Sequence, residues 1–181
     1  SNTFNENETS YYHKSIGGYH AAKLRRYQEL IDAYISPEMQ RIYGAVAQAQ
    51  GDMTKVAGDS IFPVLNMLNA KYFILPLQGG QTVPMLNPYA YGNAWFVNQI
   101  NYVDNANDEL GALGKMNLRH EAVADVKFKE KLGNALPQDD LSVVKLTKYE
   151  PNELTYDIHS SKGGIVVFSE IYYPGWTATV D

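Results

Sequence analysis

A chain of 181 residues has room for one domain, or for one domain with an appendage. With 45% apolar residues it can bury a core and is too hydrophobic for a disordered chain. A formal charge of −5 and an isoelectric point near 5.3 disfavour nucleic acid as a partner, and the absence of cysteine excludes disulfides and thiolate metal sites.

Ser1-Asn2 reads as the scar of a cleaved purification tag, and residues 1–18 as that remnant plus a polar, extended lead-in. Over residues 19–35, Leu24, Tyr27, Ile31 and Tyr34 recur at three- and four-residue steps, the stripe of an amphipathic helix. Lys23, Arg25 and Arg26, with Glu29 and Asp32 a turn later, read as its solvated face. Ser36-Pro37-Glu38 predicts a restart: a capping serine, a proline at the first helical position and an early acid. That second helix should run to about Gln50 and stop at Gly51.

The apolar region 61–77 is interrupted by Pro63, Asn66, Asn69, Lys71 and Pro76, so it is no membrane span, which needs roughly 20 apolar residues. It divides instead into a short buried helix, 61–68, and a buried strand, 71–75. Gln78-Gly79-Gly80-Gln81 then turns the chain into residues 82–86, predicting a hairpin with Pro84 on an edge. Residues 94–103 predict a strand or strand pair, Asp104 or Asn105 caps a short helix through Leu113, and 122–132 hold a short strand and a helical turn.

In the last third, β-rich runs at 141–149, 153–159, 164–171 and 176–180 are separated by Pro151-Asn152, Lys162-Gly163 and Pro174-Gly175. They predict an antiparallel meander or half of a β-sandwich. The expected fold is therefore α+β, with N-terminal helices, a mixed middle and a C-terminal antiparallel sheet; its regions are 1–18, 19–138 and 139–181. A strand stopping at Asp181 would leave unpaired backbone groups, so the sheet is expected to be truncated from a longer protein.

Gly58-Asp59-Ser60-Ile61 matches the motif that opens the GDSL hydrolases, whose serine needs a histidine oriented by an acid. The nearest pair, Asp157-Ile158-His159, is one residue short of the Asp-x-x-His spacing, and residues 53–57 do not read as the buried strand the motif should follow. The competing reading is that Asp59 or Ser60 caps the helix near Ile61. None of His13, His20, His120 and His159 has a partner at helical zinc spacing. Residues 104–109 fail the EF-hand pattern, because Ala106 stands where an oxygen ligand is required, and residues 111–115 are too short for a phosphate loop. No catalytic residue, metal or cofactor is expected from these motifs. Fourteen tyrosines and two tryptophans are more suggestive. Tyr172-Tyr173-Pro174-Gly175-Trp176 forms an aromatic turn, and Tyr89, Tyr91 and Trp95 a second group; such rings suit the C–H faces of sugars, and equally the half-buried face of a sheet.

The run from Val166 through Phe168-Ser169-Glu170, the Tyr172-Tyr173 pair and Pro174-Gly175-Trp176 to Asp181 resembles a stretch of the YfhO family of bacterial membrane proteins. Residues 65–74 (LNMLNAKYFI), 93–97 (NAWFV) and 15–19 (SIGGY) are similar to further segments of that family, in the same order. The resemblance implies a polytopic parent with a C-type glycosyltransferase-like architecture, using lipid-linked sugars to decorate cell-envelope polymers. It implies that the catalytic acid lies in a loop outside this chain. The resulting expectation is an accessory, non-catalytic domain on the extracytoplasmic side of a bacterial cell membrane. Its partners would be the membrane-embedded remainder and an envelope glycan, with Tyr172, Tyr173 and Trp176 as the glycan contacts. The alternatives are a protein-interaction module and, third, a GDSL-type hydrolase.

Overall fold

The computed structural model describes residue 4 and residues 14–18, 24–76, 78–172 and 174–180. The chain is α+β, and its contacts gather into two compact units, Ser1–Ala90 and Tyr91–Asp181.

In the first unit, helix α1 (Arg25–Leu30) runs through a π-helical turn (Ile31–Ile35) directly into α2 (Ser36–Gln48). The predicted restart at Ser36 does not occur: Ser36 has helical angles, and its N–H donates to the Ile31 carbonyl five residues back. Proline inside a helix removes one hydrogen bond and crowds the carbonyl four residues behind it; a locally widened turn just before Pro37 relieves both demands without ending the helix. The buried stripe Ile31, Ile35, Ile42 and Val46 comes from this continuous rod. Phe62, with an extended φ of −143°, then separates α3 (Gly58–Ile61) from α4 (Pro63–Met67), since a residue preceding proline is pushed out of the helical region.

Helix α4 supplies the fully buried Val64 and Leu65, beside Phe62. It leads into β1 (Tyr72–Pro76), which pairs antiparallel with β2 (Thr82–Leu86) in the register Tyr72↔Leu86, Ile74↔Pro84. Phe73 and Leu75 point into the core, and the Phe73 ring meets Phe62 edge-on at 5.2 Å. Two asparagines tie helix to hairpin. Asn87 donates through Nδ2 to Asn66 Oδ1 (2.9 Å) and the Ala70 carbonyl (2.8 Å), and Asn66 donates to the Gly58 carbonyl (3.2 Å). Both amides are buried, so each bond also avoids the penalty of an unpaired polar group.

The second unit holds β3 (Ala94–Val97) paired antiparallel with β8 (Ile165–Phe168), and β6 (Val143–Glu150) paired antiparallel with β7 (Glu153–His159) through a bulge between Leu146 and Lys148. Strand β4 (Gln99–Val103) pairs in parallel with β5 (Glu121–Asp125), and the connection between them carries α5 (Ala106–Leu113), a β-α-β unit. Helix α6 (Lys129–Leu132) follows a single 3-10 turn. Two features of the predicted C-terminal sheet differ. Strand β8 takes β3 as its ladder partner, where a meander would have given it β7. Residues 176–180 form no strand, and all five are exposed. Thr177, Thr179 and Val180 favour a strand only when a neighbouring strand offers groups to pair with, and among the described residues none does.

Candidate functional site

The aromatic turn begins where β8 ends. Ser169 N–H still donates to the Asn93 carbonyl at 2.8 Å, after which the chain bends away from the sheet at Ser169 and Glu170. Pro174 and Gly175 make the turn, and Gly175 has φ +112°, a conformation that side chains disfavour. This geometry leaves Tyr172 72% exposed and Trp176 42% exposed. Tyr173 lies outside the described residues. Among the described residues no ring contact joins Tyr172 to Trp176, so each would meet a ligand as a separate flat surface. The second aromatic group divides. Tyr91 and Trp95 are buried against each other edge-on at 5.3 Å, with the Arg119 guanidinium over the Tyr91 ring and bonded to the Tyr91 carbonyl at 3.0 Å. That cluster is packing, with both rings buried. Tyr89 belongs to the first unit, where its hydroxyl donates to the Val56 carbonyl at 2.5 Å.

The Gly-Asp-Ser motif has a packing account. A Cβ on Gly58 would stand 2.2 Å from the Tyr89 ring, so glycine there is what lets the ring lie flat on the chain. Ser60 sits exposed in α3, and among the described residues no hydrogen bond joins it to a histidine. Asp157 and His159 are exposed on β7, in the other unit. Nor do Asp59 and Ser60 cap a helix. The first-turn donors of α4 are taken by Glu38, reaching over from α2: Val64 N–H donates to Oε1 at 3.0 Å and Leu65 N–H to Oε2 at 2.8 Å. Burial drives the Glu38 carboxyl above its ordinary range, and these two backbone bonds, with the nearby Arg41 charge, pull against that shift.

Asn105 caps α5 as expected, its Oδ1 accepting from Asn107 and Asp108 N–H at 3.0 Å each. The segment set aside as too short for a phosphate loop turns out to line an open groove of about 430 Å³ between α5 and the parallel strands. Gly111, Ala112 and Lys115 face Asn101, Val103 and Glu121 across it. Glu121 is already engaged, accepting from Asn101 Nδ2 at 2.9 Å and Asn117 N–H at 3.1 Å. No aromatic side chain lines this groove, so it lacks the flat surface that a sugar face stacks on. The pattern that could have revealed it is a helix between two short strands at 99–103 and 121–125.

No protein-family model, no curated protein and no solved structure matches this chain.

Proposed function

We propose that this chain is an extracytoplasmic accessory domain of a polytopic, glycosyltransferase-like bacterial membrane protein, non-catalytic itself, presenting aromatic rings to a cell-envelope glycan. The observation that carries the reading is the Tyr172 to Trp176 turn: it bears the most specific part of the resemblance to the YfhO family, and Tyr172 and Trp176 stand exposed on it. Sugar C–H groups stack on such rings, while a ring edge keeps a polar atom free for a hydroxyl. No helix among the described residues is long and apolar enough to cross a membrane, so in this reading the spans lie elsewhere in the parent.

Tryptophan emission tests the glycan contact. Trp95 is buried and Trp176 is half exposed, so a soluble ligand should perturb mainly the second indole. Titration with envelope glycans should shift or quench the emission in a saturable way, and Trp176→Phe should remove most of that response. A flat titration at millimolar glycan rejects the contact. A second reading, a protein-interaction module, is favoured by the exposed Ile171 and Val180 near the same turn, since aliphatic side chains give a sugar little to bind. It predicts loss of partner binding in Tyr172→Ala with no glycan response at all.

A further inference from the structure

From Tyr72 to Val103 there is no Asp, Glu, Lys, Arg or His, a run of 32 residues. At the chain's overall 19% of charged residues, a stretch of that length would hold about six. Only six residues of the run are buried among those described, Phe73, Leu75, Asn87, Tyr91, Trp95 and Val97, so burial accounts for little of the depletion, least of all on the β1–β2 hairpin. Its inner face sends Phe73 and Leu75 into the core, while its outer face presents Tyr72 (61% exposed), Ile74 (52%) and Leu86 (58%), with Pro84 opposite Ile74 and Pro76 beyond it at the turn end, both exposed. The strand register sets Tyr72 opposite Leu86 and Ile74 opposite Pro84, so these side chains form one continuous outward patch. Apart from Thr82, opposite Pro76 at the turn end, both faces of this two-stranded sheet are therefore apolar, which is unusual where one of them meets water.

We propose that the outer face of the β1–β2 hairpin rests in the interfacial layer of a lipid bilayer. Three properties choose lipid over a protein partner. The first is size: three side chains with about half their surface open offer on the order of a few hundred Å², well short of the roughly 800 Å² per partner of a stable protein complex. Next comes charge. A protein interface keeps a polar, charged rim around the patch to fix register; here no charged side chain of the two strands stands on the face itself and the adjoining charge is Lys71 at its base, as suits a medium in which charge is penalised. The third lies at the hairpin's base, where exposed Lys71 precedes Tyr72: a long-stemmed cation and an amphipathic ring, the pair of residue types that anchors at the level of lipid headgroups. The proposal is independent of any glycan contact at Trp176.

Vesicle flotation of the 181-residue chain tests it, with phosphatidylcholine vesicles made with and without phosphatidylglycerol. The chain should float with both, with little change at high salt, because the contact is apolar. Ile74→Glu should lower the bound fraction about tenfold or more, with unchanged circular dichroism, since Ile74 is half exposed. Leu86→Gln on the neighbouring strand is the second variant, should Ile74→Glu unfold the chain. No flotation of the parent sequence overturns the proposal, and so does equal flotation of both variants. A concentration-dependent dimer dispersed by Ile74→Glu would assign the face to a second copy instead, and overturns it too.

Discussion

A Cβ built at Gly58 falls 2.2, 2.5 and 2.7 Å from three carbons of the Tyr89 ring, distances no real contact shows. The ring cannot step aside freely, because its hydroxyl is held by the Val56 carbonyl and its edge meets Phe62 at 6.1 Å. Gly58→Ala should therefore destabilise the fold by about 2 kcal/mol, read as a lowered denaturation midpoint at unchanged slope. An unchanged midpoint would show that the ring finds another seat and would reopen the question of why glycine precedes Asp59-Ser60. The same steric fact gives the glycine of the Gly-Asp-Ser sequence a packing role of its own. Two residues of that sequence have a structural account: glycine makes room for the ring, and Asp59 accepts from Asn66 Nδ2 at 3.5 Å.

At the scale of the element, helix α4 is only five residues long and cannot stand alone, since isolated helices need roughly a dozen residues or more to persist in water. What holds it is a carboxylate from α2 at its positive end, doing from 26 and 27 positions away what a serine or aspartate usually does from the adjacent position. This arrangement has a pH signature. Burial raises the Glu38 pKa in the folded chain, so the folded state holds that proton more tightly than the unfolded state does. The stability contributed by this group is then full below the ordinary glutamate pKa of about 4.3 and is lost as pH rises through the raised folded value. Glu38→Gln should flatten that slope in urea titrations at several pH values. It should also lower stability, by roughly 1–3 kcal/mol at low pH and by less as pH rises, because the single amide oxygen serves the two N–H groups less well than the carboxyl does. A variant as pH-sensitive as the parent chain would exclude Glu38 as the source.

Taken as a whole, the molecule places its aromatic turn in one compact unit and its uncharged hairpin in the other. The proposed function makes a prediction at this scale: the gene should encode several spans of about 20 apolar residues in the same reading frame as this segment, and a frame without them removes the membrane parent. Much of the architecture was legible beforehand because its causes are local. The sequence predicts a turn at Gln78 to Gln81, pairing of residues 71–75 with 82–86 across that turn, and a helix cap at Asp104 or Asn105. The strand is found at 72–76 and the cap at Asn105, and each expectation follows from backbone preferences of neighbouring residues. Where the cause is distant, local reading failed. Ser36-Pro37 has the composition of a helix start, but the helix continues because a π turn absorbs the proline and the buried stripe on both sides belongs to one core. Residues 176–180 have the composition of a strand and no partner among the described residues, and β8 joins β3 across about 70 residues of chain, a choice no local pattern encodes. Sequence alone thus determined the turn at Gln78 to Gln81, the hairpin across it and the capped helix that follows β4, because those preferences act within a few residues. Tertiary structure alone decided which strands pair, which carboxylate closes α4 and which apolar side chains remain outside, because each depends on what the rest of the chain brings alongside.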